Sequence, residues 1–235
     1  MPLLVLAGGF GTRLRSSVGD VPKPMAPAGG APFLQHLLGC WVDQGARDFV
    51  FLLHHQPAVI VAFLEDQQLC GVLVGCSVRV VIEPEPMGTG GAVAYAVRTL
   101  GLTGNLLVAN ADTWLADGMA ALTVTVAPAM TVVPVTDTKR FGAVAVREGR
   151  VASFIEKSSS HGSGWINAGL YVLRAEDFAS WAGEPFSLET DRFALWAAAG
   201  RLGAVPVNAE FIDIGVPDDY FRFCRWIESD KGGAL

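Results

Sequence analysis

The sequence predicts an α/β protein, with a mixed, mostly parallel sheet, helices on both faces and a small antiparallel part. Three observations carry this. Short, continuous apolar runs stop at Gly, Pro or Asn; helix-patterned stretches alternate with them; and past residue 130 short strands follow one another with few helices between.

Residues 3–7 are apolar throughout and end at Gly8-Gly9, the pattern of a strand buried on both faces. The polar, Gly/Pro-rich segment 8–32 is too long for a simple connection, and segments of that length usually carry function. Residues 33–44 read as a helix with Phe33, Leu34, Leu37, Leu38 and Trp41 on one face. Residues 49–53 form a second buried strand, 59–64 a helix and 78–82 a third strand. An alanine-rich helix over 91–100 leads to a fourth strand, 105–109, ending at Asn110-Ala111-Asp112. Strands follow at 131–135, 142–146, 151–155 and 167–173, and helices at 188–199 and 218–227 close the chain. With no internal repeat, one domain over residues 1–235 is expected.

The 235 residues are 51% hydrophobic and 17% charged, enough apolar material for a large core and too little charge for disorder. A net charge of −6 excludes a general affinity for nucleic acid or an acidic membrane, so an anionic ligand must be met by a local cluster. Cys40, Cys70, Cys76 and Cys224 show no C-x-x-C spacing and read as reduced, mostly core thiols. Residues 1–7 lack the basic flank of a signal peptide, and no run approaches the about 20 apolar residues of a membrane span. A soluble cytoplasmic protein is expected.

The most informative segment is Ala7-Gly8-Gly9-Phe10-Gly11-Thr12-Arg13-Leu14. Glycines after a strand turn backbone N–H groups inward and make an anion cradle. The dinucleotide fingerprint fails because Leu14 stands at its third glycine, and no glycine precedes a lysine followed by Ser or Thr as a P-loop requires. What remains is a Gly-rich turn carrying Arg13 and Arg15, then Lys23 between Pro22 and Pro24, which stiffen the backbone presenting it. No Gly-x-Ser-x-Gly or His-Glu-x-x-His occurs, so serine hydrolase and zinc protease readings lose support. The pair His54-His55 lacks acidic or thiol partners at ligand spacing and reads as polar loop content.

Gly-Gly-Phe-Gly-Thr-Arg-Leu followed by Pro-Lys-Pro-Met resembles the signature of sugar-1-phosphate nucleotidyltransferases, the NDP-sugar pyrophosphorylases, and further segments match in order over nearly the whole chain. The resemblance implies a Rossmann-like, nucleotide-diphospho-sugar transferase fold. Residues 1–130 would be mainly nucleotide-binding, 131–217 mainly sugar-phosphate-binding, and 218–235 a C-terminal helix and tail. It also implies the chemistry: a sugar 1-phosphate attacks the α-phosphorus of a nucleoside triphosphate and pyrophosphate leaves.

Carried over residue by residue, Leu6, Ala7, Gly8, Gly9, Gly11 and Thr12 wrap the triphosphate. Arg13 stabilises the transition state and the leaving pyrophosphate, while Lys23 bridges the reacting phosphates. Asp112 and Asp213 are the implied Mg²⁺ ligands, hard oxygens suited to that cation. Asn110, Gly142, Glu156, Lys157 and Asn167 are implied around the sugar phosphate, with Ser158 where the family has proline and a Ser/Gly-rich run, 158–164, beyond it. Phe186-Ser187-Leu188-Glu189 with Asp191 resembles the helix start beneath the sugar, and Trp165 is a candidate for stacking on it.

Glu83, Pro86, Gly88 and Thr89 fall in the base-recognition segment. Guanine shows N1–H and N2–H₂ side by side, two donors one carboxylate accepts together, so Glu83 favours GTP. Relatives that uridylylate N-acetylmuramate 1-phosphate also carry glutamate here, which keeps UTP and an amino-sugar phosphate as the alternative. Within the family, Pro-Met-Gly-Thr-Gly-Gly-Ala, Ile-Asn-Ala-Gly-Leu-Tyr and Phe-Ile-Asp-Ile-Gly-Val-Pro-Asp-Asp-Tyr resemble the guanylyltransferases of D-glycero-α-D-manno-heptose 1-phosphate, which serve surface glycan synthesis. Homo-oligomerisation is left open.

Overall fold

The computed structural model describes residues 1–139, 141, 143–155 and 162–232. Strand β1 (Leu3–Leu6) leads into the glycine-rich segment, which is far from structureless. It holds one helical turn, α1 (Arg15–Val18), a 3-10 turn at Lys23–Met25, and a small hairpin of β2 (Pro27–Ala28) and β3 (Ala31–Pro32). Helix α2 (Phe33–Asp43) buries Phe33, Leu34, Leu37, Leu38 and Trp41, the face its spacing predicts. Then come β4 (Asp48–Leu53), α3 (Pro57–Cys70), β5 (Ser77–Ile82), α4 (Gly88–Leu100) and β6 (Asn105–Asn110).

The second half runs through β7 (Thr113–Leu115), α5 (Met119–Thr123), β8 (Ala129–Val135), β9 (Ala143–Arg147), β10 (Arg150–Ile155) and β11 (Gly164–Arg174). A 3-10 turn (Ala175–Phe178) and a π-helical turn (Leu188–Phe193) precede α6 (Ala194–Ala198), β12 (Gly203–Pro206), β13 (Phe211–Asp213) and α7 (Pro217–Gly232).

Among the described residues nine strands share one sheet, in the order β5-β4-β1-β6-β11-β8-β12-β10-β9. From β5 to β6 all neighbours are parallel; β11 is antiparallel to both β6 and β8. The antiparallel part therefore continues the same sheet rather than standing beside it. Alternate residues of β1 feed two cores. Leu3 and Val5 pack with side chains of α2, α3 and α7, and Leu4 with those of α4 and α6. Each fully buried side chain of this size stabilises the fold by about 1.5–3 kcal/mol.

Several elements depart from the sequence reading. Helix α3 reaches Cys70, beyond the expected end; its second half buries only Leu64 and Gln67 and so shows little periodicity in the sequence. Helix α4 starts three residues early, at glycines that tertiary contacts hold. The expected helix over 188–199 opens as a π-turn, where the Ser187 hydroxyl accepts from the Glu189 and Thr190 amides. Strands β7, β12 and β13 were not anticipated, being too short for a pattern. All four cysteines are free thiols, and Cys70 is exposed rather than core. Among the described residues no helix is long and apolar enough to cross a membrane.

Candidate active site

Strand β1 lies between β4 and β6, so the strand order reverses there and a crevice opens at the carboxyl ends. A cleft of about 540 Å³ occupies that position. The segments leaving β1, β4, β5 and β6 line it with Ala7, His54, Glu83 and Asn110 respectively.

Leu6, Ala7, Gly8, Gly9, Phe10, Gly11, Thr12 and Arg13 all face this cleft. The Ala7 amide donates to the Leu52 carbonyl at 3.0 Å, and the His55 amide to Gly8 at 3.4 Å. A Cβ on Gly8 would lie 2.9 Å from Glu83 Oε1 and 3.2 Å from His54 N, so only glycine lets the turn close. Gly11 sits at φ +61° against the Lys23 side chain, a left-handed conformation that disfavours any other residue. Buried Leu14 anchors the far end of the turn. Arg15 pairs with Asp20 at 3.0 Å, whereas Arg13 makes no ion pair among the described residues and stays available to an anion.

Lys23 projects from its 3-10 turn between the buried prolines 22 and 24, its side chain 12% exposed, and Nζ donates to Asp112 Oδ2 at 2.6 Å. The Thr113 hydroxyl donates to the other oxygen at 3.1 Å. Pairing of β7 with β13 sets Asp213 opposite Thr113, and the Ile214 amide donates to the Asp112 carbonyl at 3.0 Å. Asp213 Oδ1 in turn accepts from the Gly215 amide at 2.6 Å. Gly215 lines the cleft, and a Cβ there would lie 2.7 Å from Asp213 Oδ1 and 3.3 Å from Lys23 Nζ. One cation and two carboxylates thus share a small volume at the cleft's edge.

Their ionisation follows from that crowding. Desolvation works to raise the Asp112 carboxyl, but the charge and hydrogen bond of Lys23, with Thr113, outweigh it and hold it below the usual value. Desolvation and the charge of Asp112 push Asp213 up, against Lys23 and the Gly215 amide. Two carboxylates in mutual repulsion, with room for phosphate oxygens, suit Mg²⁺, which takes one or two carboxylates plus substrate oxygens. Among the described residues no group of three or more His, Cys, Asp or Glu forms a self-contained metal cage.

Glu83, Pro86, Gly88 and Thr89 also line the cleft. Glu83 is 7% exposed; its Oε2 accepts from the Met87 amide at 3.1 Å, and burial pushes its carboxyl up. The first amides of α4 are held by the second half of the chain, since Gly90 and Gly91 donate to the Phe186 carbonyl. Thr89 donates to Glu189 Oε2 at 2.7 Å and accepts from the Leu188 amide at 2.8 Å.

Asn110 lines the cleft; Asn167 does not, its carboxamide lying between the Gly169 amide at 2.9 Å and the Tyr171 hydroxyl at 3.0 Å. Gly142, Glu156 and Lys157 lie outside the described residues, as does most of the run 158–164. Trp165 is half-buried on β11 and packs against the second core. Glu189, in the segment expected beneath the sugar, lines the cleft, as do Phe10, His54 and Gly215, for which the sequence implies no role of their own. His54, taken as loop content, hydrogen-bonds the Glu83 carbonyl at 3.1 Å and meets the Phe10 ring edge-on. Its place at the carboxyl end of a buried strand was the available signal.

A family profile described as nucleotidyl transferase matches residues 3–229. The chain is similar to the D-glycero-alpha-D-manno-heptose 1-phosphate guanylyltransferase of Aneurinibacillus thermoaerophilus, at 33% identity over 94% of this chain and 95% of the relative. The protein of the same name from Campylobacter jejuni subsp. jejuni serotype O:2 is 31% identical over 95% of this chain and 98% of its own. Among solved structures, HddC from Yersinia pseudotuberculosis complexed with GMP-PN superposes with a TM-score of 0.82 at 33% identity, covering 96% of this chain and 99% of that one. A glycine-rich turn, a guarded lysine and two facing aspartates at one cleft, inside a match of that extent, make this chain a member of the nucleotidyl transferase family.

Proposed function

We propose that the chain transfers a guanylyl group from GTP to a sugar 1-phosphate, D-glycero-α-D-manno-heptose 1-phosphate above all, giving GDP-heptose and pyrophosphate. The observation that carries this is the meeting of Lys23, Asp112 and Asp213 at the edge of the cleft that the Gly8–Thr12 turn encloses. The relatives' names support a guanylyl transfer to a heptose phosphate, and the bound GMP-PN in HddC supports a guanine nucleotide.

The turn's backbone amides bind the triphosphate and Arg13, which makes no ion pair among the described residues, binds its outer phosphates. Lys23, anchored by its proline-flanked turn, orients the α-phosphate and the incoming phosphate oxygen and offsets the charge that builds as they meet. Asp112 and Asp213 would hold Mg²⁺, which when bound neutralises the repulsion between two polyanions. Glu83 accepts guanine N1–H and N2–H₂, its backbone-held oxygen fixing the carboxylate. Residues 1–130 serve mainly the nucleotide and 131–217 the sugar phosphate, where Asn110, Asn167, Gly142, Glu156 and Lys157 belong to this reading.

A panel of nucleoside triphosphates and sugar 1-phosphates, followed by pyrophosphate release, tests it. GTP with a manno-heptose 1-phosphate should be the best pair. Turnover of UTP with an amino-sugar 1-phosphate and none with GTP would replace the reading by the uridylyl alternative.

A further inference from the structure

Strand β11 contains a feature that the reaction as described does not use. Four residues apart on an unbroken strand, Asn167 and Tyr171 would be separated by about 13 Å along the chain. Here the register against β8 slips between them, Gly169 takes φ +75°, and the Asn167 carbonyl oxygen Oδ1 accepts from the Gly169 amide at 2.9 Å. The bulge brings Asn167 Nδ2 to 3.0 Å from the Tyr171 hydroxyl. Bulges beside sites commonly re-aim a side chain in this way. From the neighbouring strand β6, Asn110 brings Nδ2 to 3.5 Å of the same hydroxyl.

The hydrogen-bond count at this hub is uneven. A phenol has one proton to give, yet the Tyr171 oxygen receives two amide donors while Asn110 Oδ1 is buried without a partner among the described residues. Turning the Asn110 carboxamide over, a change that leaves its shape intact, gives the phenol one donor and one acceptor. Tyr171 then accepts from Asn167 and donates to Asn110 Oδ1, and the Asn110 NH₂ takes the buried place on the side away from Tyr171. Asn110 lines the cleft beside Asp112.

We infer that Tyr171 is a positioning residue for the sugar 1-phosphate: its buried hydroxyl ties Asn167 to Asn110 and so fixes the Asn110 side chain that forms this part of the cleft wall. This rests on the proposed function. Burial, with the charge of Glu189, pushes the Tyr171 hydroxyl well above the usual tyrosine range, so its proton stays in place at any working pH. The ring itself is fixed by packing on Phe193 at 4.9 Å, so Tyr171→Phe removes the hydroxyl and keeps the ring.

Steady-state kinetics with both substrates varied test the inference. Tyr171→Phe should raise KM for the sugar 1-phosphate about 10-fold and leave KM for GTP and kcat within about twofold. Asn110→Asp should raise it further. Combined with Tyr171→Phe it should cost less than the two effects added, since one residue acts through the other. An unchanged sugar KM in Tyr171→Phe, equal rises in both KM values, or strict additivity would overturn the inference while leaving the function standing. Absence of turnover by the unaltered enzyme with every pair would overturn both.

Discussion

Lys23 Nζ lies 2.6 Å from Asp112 Oδ2, so without ligands the lysine stands against one of the two carboxylates that would hold the metal. The pair cannot serve both roles unchanged: reaching a phosphate draws Lys23 away and exposes Asp112. Lys23→Ala and Asp112→Asn should each cut turnover at least ~10²-fold in a pyrophosphate-release assay, the size of losing one charge-stabilising group. Lys23→Ala should also bind Mn²⁺ more tightly than the unaltered protein in calorimetry without nucleotide, because no cation competes for Asp112.

Glu83 must be ionised to accept two guanine donors, and burial pushes its carboxyl above the ordinary glutamate value. kcat/KM for GTP should therefore fall as pH drops through that raised value, with an acid limb above the ordinary glutamate range. Glu83→Gln should erase this limb. It should also reduce GTP-over-UTP discrimination by about 10-fold or more, since one buried guanine donor loses its acceptor.

Asp213 is held above the usual carboxylate value by desolvation and by Asp112. A raised carboxyl costs stability while it is charged, and that cost vanishes as pH falls through the raised value. In EDTA at pH 7, Asp213→Asn should melt at a higher temperature than the unaltered protein, the gain shrinking toward about pH 4. The same substitution should cut turnover at least ~10²-fold, because an amide is a poor partner for a hard cation.

Thr89 joins the two halves of the chain through Glu189 and the Leu188 amide. Thr89→Val removes both bonds and should cost about 1–3 kcal/mol, a fall of about 2–10 °C in Tm by calorimetry.

Much of the cleft was legible in the sequence because its parts are local. The apolar run before Gly8, the prolines around Lys23 and Glu83 at the end of β5 each announce their conformation within a few residues. What stayed hidden is long-range. Nothing in three-residue strands shows that β7 pairs with β13, yet that ladder is what sets Asp213 beside Asp112. Gly88 and Gly90 are poor helix formers, and only the Phe186 carbonyl, nearly a hundred residues away, makes their turn the start of α4. Glu189 enters the cleft by the same route, through Thr89. The bulge at Gly169 cannot be separated by alternation alone from an ordinary glycine in a strand.

In the proposed reaction the groups around Lys23 act on the α-phosphorus of a nucleotide. Incubation with GTP labelled at the α-phosphate and a manno-heptose 1-phosphate tests this most directly. The label should appear in the sugar nucleotide, with one unlabelled pyrophosphate released per transfer. Label remaining in free GDP or GMP, or transfer of the terminal phosphate to the sugar, would contradict it.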